Sequence, residues 1–321
     1  GRQVASSSQT GLHLTGAALY LLFTSVFGPT IELYDFLVLL PVLLGAFTTI
    51  VIFLLVRVVA GSKAGLFSAL IIAYAPAIIA RGNLGWFKSE PLALLLTLFA
   101  SYLFLKIFNN THNDNNYKNT RELVINSLLA GALLGFANTT WGGVQFFAIV
   151  FSALFIISSF LSKDSLPMIK SSSILVPTLL IVTAIFPRPG LSFVTGPAGL
   201  LLLGSISFLI ISHIVKSNTE SRNHIKNSFK ILLSFILVGC IVNSLGFLSS
   251  VTGRYQTVIF PFQRTANPLV ESVAEHFVPT GGMYFSFYVV LLFLGAFGAI
   301  QSLKKRSIPY LFVVVLSIVA L

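Results

Sequence analysis

Residues 36–60 read FLVLLPVLLGAFTTIVIFLLVRVVA, a run in which Arg57 is the sole charge. A helix needs ~20 mostly apolar residues to cross the hydrocarbon core of a bilayer, and this stretch is long enough to do so. Nine further stretches have the same character: 64–80, 91–108, 123–139, 142–161, 170–186, 197–215, 229–250, 283–300 and 308–321. The composition agrees with them. The 321 residues are 55% hydrophobic and 9% charged, against roughly 25% charged residues in soluble domains. The sequence therefore predicts an all-α, polytopic membrane helical bundle of about ten to eleven transmembrane helices, with 1–321 forming a single transmembrane domain. Residues 12–27 are apolar but short, and read as an interfacial helix in preference to an eleventh span.

The net charge of +11 is a matter of placement. Arg57, Lys63, Lys106, Lys118, Arg121, Lys163, Lys170, Lys216, Arg222, Lys226, Lys230, Lys304, Lys305 and Arg306 follow alternate spans and make up fourteen of the 20 basic residues. The other side holds Arg81, Lys88, Arg188, Arg254 and Arg264, with Arg2 at the start. Lys and Arg concentrate in cytoplasmic loops, so the first set marks the cytoplasm. The basic excess is thus a topology signal. A nucleic-acid surface would group its cations with stacking aromatics on one face, which this sequence does not do, so no nucleic-acid partner is expected. The lone Cys240 sits in an apolar run and supports neither a disulfide framework nor a zinc signature. The chain opens without Met and stops inside the apolar run 309–321, and reads as a piece of a longer protein.

Five of the nine acids, Glu32, Asp35, Glu90, Glu271 and Glu275, fall on the extracytoplasmic side. Charges close to a bilayer are costly and tend to mark functional sites. Three constellations stand out there. In Arg81-Gly-Asn-Leu-Gly-Trp-Phe-Lys-Ser-Glu90-Pro91, Pro91 suits the first turn of a helix and Glu90 its N-cap, where negative charge is favoured. Glu90 is either a plain cap or a carboxylate offered to a metal or substrate. Lys88 and Arg81 either snorkel to headgroups or meet an anionic ligand. Ser272-Val-Ala-Glu275-His276 sets a carboxylate beside an imidazole, a pair able to bind metal or move protons; the pair also arises by chance in loops. Trp141-Gly142-Gly143 is an interface anchor or a site residue. The segment 251–282 that carries Glu275 is long enough to suggest a functional loop.

Taken in order, these elements resemble the catalytic subunit of oligosaccharyltransferase in its archaeal or eukaryotic form. Arg81 to Glu90 resembles the loop of the family's second acidic motif, Trp141-Gly142-Gly143 its Trp-Gly-Gly element, Gly253-Arg254-Tyr255 its glycine–arginine–aromatic segment, and Ser272 to His276 its SVSEH-type segment. The resemblance implies a GT-C membrane glycosyltransferase that moves an oligosaccharide from a dolichol-linked phosphate or pyrophosphate donor to Asn in Asn-X-Ser/Thr acceptor polypeptides, with its active site on the extracytoplasmic face. It implies Mg²⁺ or Mn²⁺ held by Glu90 and Glu275, with Glu275 also reaching the acceptor Asn, Arg81 ordering the site, and Trp141 and His276 supporting substrate. The family has an acid where this chain has Lys88, so that position either contacts donor phosphate or leaves the metal to Glu90 and acids elsewhere, or the site is metal-poor or inactive. The first outer-loop acid and the soluble domain with its WWDYG-type pocket are expected beyond the two ends, and the fragment alone is expected to be inactive. A protein O-mannosyltransferase needs a donor-loop acid but not the Glu275 segment. A secondary transporter would set its polar residues near the midplane, often with internal repeats; here they gather at one surface.

The alternation of basic loops makes a direct prediction. Cysteines placed at Asn113 and Thr280 should label from opposite sides of sealed vesicles, and labelling from one side would break the topology.

Overall fold

A computed structural model describes residues 8–109, 120–161, 165–217, 224–244, 282, 290–305 and 307–320. Thirteen α-helices are described in these segments: α1 (Gly11–Phe27), α2 (Leu33–Ala60), α3 (Ser62–Ala73), α4 (Pro76–Arg81), α5 (Ser89–Asn109), α6 (Thr120–Asn138), α7 (Gln145–Leu161), α8 (Leu166–Ile185), α9 (Leu191–Val194), α10 (Pro197–Ser217), α11 (His224–Ser244), α12 (Val290–Lys305) and α13 (Ile308–Ala320). A 3₁₀ turn, Gly142–Val144, leads into α7. Six passes, on α2, α5, α6, the 3₁₀ turn with α7, α8 and α10, are long and apolar enough by themselves to cross a membrane.

The surface is inverted relative to a water-soluble protein. Leu21, Leu22, Phe47, Ile50, Leu70, Ile181 and Ile236 are exposed, whereas Ser101, Ser127, Ser158, Ser171, Ser172 and Thr183 are fully buried. Bilayer helices must satisfy their polar groups internally. Thr48, Thr97 and Ser101 accordingly donate to the carbonyls of Leu44, Ala93 and Thr97, four residues back, at 2.8, 2.6 and 2.9 Å. The core is aromatic at its centre. Phe104 of α5 meets Phe151 of α7 edge-on at 5.2 Å, and Phe151 packs on Phe312 of α13 at 5.9 Å.

The α6–α8 seam is built from small residues. Ser127, Gly131 and Gly135 recur every four positions on α6, so they line one face. They meet Ser171, Leu175 and Leu179 of α8 in parallel register. The Ser127 and Ser171 hydroxyls are hydrogen-bonded at 2.8 Å, and Thr183 donates to the Gly135 carbonyl at 3.2 Å. A Cβ added at Gly131 would collide with the Leu175 carbonyl oxygen, and one at Gly135 would lie 2.7 Å from that of Leu179. Without a hydrophobic force between helices in lipid, van der Waals packing at such close approach, interhelical hydrogen bonds and lipid entropy drive their association.

The expected single span 64–80 is interrupted. Pro76 has no N–H to continue a helix and pushes its predecessor out of the α region; Ala75 is extended, at φ −66° and ψ 119°. The return pass is therefore α3 followed by the short α4, which ends at Arg81. The expected spans 229–250 and 283–300 lie partly outside the described residues.

The interfacial reading of 12–27 fits α1. At ~1.5 Å per residue its seventeen residues reach about 26 Å. The contacts that seat it come from helix ends and loops on the Glu90 side: its first amide donates to the Thr139 carbonyl at 3.0 Å, His13 lies beside Phe87, and the Tyr20 hydroxyl donates to the Ile31 carbonyl at 3.1 Å. The helix lies across that end of the bundle.

Gly135→Ala should cost the full-length protein about 1–3 kcal/mol, the usual range for overpacking, and lower its thermal midpoint in detergent. Gly204→Ala, where an added Cβ meets nothing within 4 Å, should be neutral or slightly stabilising. Equal effects would show that the seam is looser than described.

Candidate active site

Pro41 sits inside α2 and cannot donate to the carbonyl of Leu37. Beside this interruption the Val38 carbonyl accepts from the Gly85 amide at 3.0 Å. Gly85 has φ +78°, a left-handed conformation that glycine adopts without steric cost. This bond seats the loop 82–88 against α2. The Trp86 amide then bonds the Asn83 carbonyl at 3.0 Å, and the Lys88 amide the Trp86 carbonyl at 2.8 Å, turning the chain into α5.

The result brings Arg81, at the last turn of α4, to Glu90, in the first turn of α5. Arg81 Nη1 donates to Glu90 Oε1 at 3.3 Å. Glu90 Oε2 is buried and has no hydrogen-bond partner among the described residues. α5 begins at Ser89, so Glu90 lies within its first turn instead of at the N-cap; the apolar run starts at Pro91, but the turn forms two residues earlier. An acid in this turn still faces the positive end of the helix dipole.

Lys88 lies with its ammonium 4.8 Å from the Trp86 ring centroid, and the Arg81 guanidinium carbon is 6.0 Å from the same ring. Both fall within the ~6 Å range of cation–π attraction. One indole thus lies within reach of both cations, and it is 41% exposed. Sequence reasoning quoted Trp86 without giving it a role. The available signal was its position between Arg81 and Lys88.

Trp141 stands on the adjoining wall. α6 ends at Asn138, and Thr139 and Thr140 turn their hydroxyls back to the carbonyls of Phe136 and Ala137 at 2.7 and 2.6 Å, satisfying acceptors that a helix end leaves open. The turn that follows packs against α5 through Ala93, Ala137 and Val144, one turn below Glu90. A Cβ on Gly143 would collide with the Trp141 indole, so the glycine lets the ring fold back over its own turn. α1 bridges the two walls: Gly11 abuts Thr139 and Thr140, while Gly16 abuts Phe87.

Arg81 and Glu90 are therefore in direct contact, Lys88 is next to them on Trp86, and Trp141 shares the same end of the bundle. Glu275 and His276 lie outside the described residues. The chemistry on offer is a carboxylate held by Arg81 through one oxygen, its other oxygen having unused acceptor capacity, with Lys88 on the neighbouring Trp86 ring. Leaving such an atom buried without a partner is costly, and a donor or a metal ion would relieve it. Among the described residues no group of three His, Cys, Asp or Glu lies together. Glu90 by itself offers a single carboxylate of the kind a hard cation takes.

Comparison with known proteins places these features in a family. The family model for oligosaccharyl transferase STT3, N-terminal, matches residues 10–320. The dolichyl-diphosphooligosaccharide–protein glycosyltransferase subunit STT3 of Dictyostelium discoideum is 24% identical over 331 aligned residues, covering 100% of this chain and 44% of the relative. The apo oligosaccharyltransferase of Archaeoglobus fulgidus superposes with a TM-score of 0.73 at 19% identity, over 96% of this chain and 38% of that one. Archaeoglobus fulgidus AglB with an inhibitory peptide and a dolichol-phosphate gives 0.67 at 18%, over 96% and 38%, and the zinc and sulfate complex of the oligosaccharyltransferase 0.63 at 20%, over 97% and 37%. The likeness establishes the GT-C membrane fold, and the chain spans less than half the length of these relatives. Through its match over residues 10–320, the chain belongs to the oligosaccharyl transferase STT3 family, whose N-terminal region it represents.

Proposed function

We propose that this chain is the membrane domain of an enzyme that transfers an oligosaccharide from a dolichol-linked phosphate or pyrophosphate donor to the Asn of Asn-X-Ser/Thr acceptors, at the extracytoplasmic surface. Within family membership, the observation that carries this reading is Glu90: a carboxylate tied to Arg81 by one oxygen, with the other buried and unpartnered among the described residues. The protein O-mannosyltransferase alternative is weakened by the match to a different family along nearly the whole chain.

In this reaction the bond between the anomeric carbon and the lipid phosphate breaks, a bond to the acceptor amide nitrogen forms, and that nitrogen gives up one of its two protons, to the Glu275 carboxylate in this reading. Negative charge grows on the departing phosphate. Arg81 and Lys88 are the cations closest to Glu90 in the chain; Arg81 orients the carboxylate, and Lys88 on Trp86 faces the phosphate. Fixed charges aimed at developing charge lower the barrier without reorganising as the reaction proceeds. Glu90 and Glu275 would hold Mg²⁺ or Mn²⁺, which supplies a Lewis acid for the leaving phosphate. Lys88 stands where the family has an acid, and an ammonium cannot ligate a cation, so this loop contributes Glu90 alone. The acceptor nitrogen is a poor nucleophile because its lone pair is delocalised into the carbonyl. Glu275 accepting the amide hydrogens would favour the twisted amide over the planar one, a gain realised on the way to the transition state. Trp141 and His276 flank the substrates. The archaeal complexes with dolichol-phosphate and peptide, and with zinc, support the same ligand classes.

In the full-length protein, Glu275→Gln should reduce transfer to an Asn-X-Thr peptide by about 10²-fold or more, the scale of losing a positioned proton acceptor, with membrane insertion unchanged. Normal transfer would remove Glu275 from the mechanism. Lys88→Ala should raise the KM for the lipid donor about tenfold or more, as loss of a charge-assisted hydrogen bond does, with a smaller change in KM for peptide. An unaltered donor KM would leave Lys88 as a headgroup-facing side chain.

A further inference from the structure

At the end of the bundle opposite Glu90, a cavity of about 430 Å³ opens between the last turns of α2 and α5 and the junction of α12 with α13. We propose that this cavity binds the phosphate headgroup of an anionic phospholipid, with Lys305 as its cationic contact. Its size is within the ~300–1,000 Å³ of small-ligand pockets.

The lining is amphiphilic in a particular order. Val58 and Val59 of α2 and Phe108 of α5 form an apolar floor, and Lys305, Ser307 and Tyr310 supply the polar groups. Phe108 is 8% exposed, so the floor is part of the packed bundle. Lys305 Nζ donates to the Tyr310 hydroxyl at 2.7 Å. That bond uses one of three ammonium donors and draws the side chain toward the cavity. No acidic residue lines the cavity among the described residues.

The surrounding charge has the same sign. Arg57, Lys63, Lys304 and Lys305 occupy the neighbouring helix ends. The one acid among the described residues at this end, Glu122, is paired with Lys106 at 3.1 Å. A basic pocket between membrane helices at the headgroup level is the recognised form of an anionic-lipid site. A soluble anion would satisfy Lys305 but leave Val58, Val59 and Phe108 against water. An amphiphile satisfies both, with phosphate at Lys305 and Ser307 and its glycerol and upper acyl carbons on the floor.

The test is native mass spectrometry of the full-length protein, delipidated in detergent and titrated with phosphatidylglycerol or phosphatidylcholine of the same chain length. Phosphatidylglycerol should be retained preferentially. Lys305→Gln should lower its retention about fivefold, the weight of one cation at a membrane surface, and Lys305→Arg should preserve it. Lys63→Gln, a cation of the same end outside the cavity, should have a smaller effect. Glycerol 3-phosphate, the headgroup without chains, should not bind at millimolar concentration. Equal retention of the two lipids, or no effect of Lys305→Gln, would overturn the proposal. Tight binding of glycerol 3-phosphate would replace the lipid with a soluble phosphate. Absence of any adduct would mean that another segment of the full-length protein fills the cavity, and would end the proposal equally.

Discussion

A carboxylate beside a bilayer has to be held by the protein, and the contact between Arg81 and Glu90 is how this chain holds one. The two residues flank a loop that would otherwise span open space between α4 and α5. The Pro76 break shortens the return pass so that it ends at Arg81, and the Gly85 bond to Val38 seats the loop below the start of α2. Phe87, next in the loop, packs under α1, and α1 in turn is fastened to Thr139 beside Trp141. A series of local contacts thus links the donor-loop candidate residues to the Trp-Gly-Gly turn, although the two segments are separated by about two membrane crossings of sequence.

The Lys88 position alters the electrostatics of this arrangement. An acid there would give the loop two carboxylates, suited to gathering a cation. A lysine two residues before Glu90 gives it two cations and one carboxylate, with both cations near Trp86. Arg81 and Lys88 differ in kind: the guanidinium makes a directional bond to Glu90, whereas the ammonium is a compact charge on a flexible stem. The first fixes the carboxylate, and the second lies against the Trp86 ring.

The bundle was legible in the sequence because span length and basic-loop alternation are one-dimensional signals. Six passes stand within a few residues of the apolar runs that announced them. The Pro76 break carried a visible mark, but the apolar run continues across it and conceals the interruption. The glycine seam was readable in principle from Gly131-x-x-x-Gly135, a spacing tied to close helix approach. The Arg81–Glu90 contact was not readable, because a seven-residue loop admits many separations and a hydrogen bond to a third element selects this one. Glu275 and His276 lie outside the described residues.

The α6–α8 seam has a consequence for biogenesis. Its hydrogen bonds join residues 44 and 48 positions apart, with the whole of α7 between them. At ~5–20 residues per second of synthesis, roughly 2–10 seconds separate emergence of Gly135 from that of Thr183. During that interval the groove of Ser127, Gly131 and Gly135 has no α8 to receive, and lipid or the insertion machinery must occupy it. This close backbone contact is therefore one that the ribosome completes late.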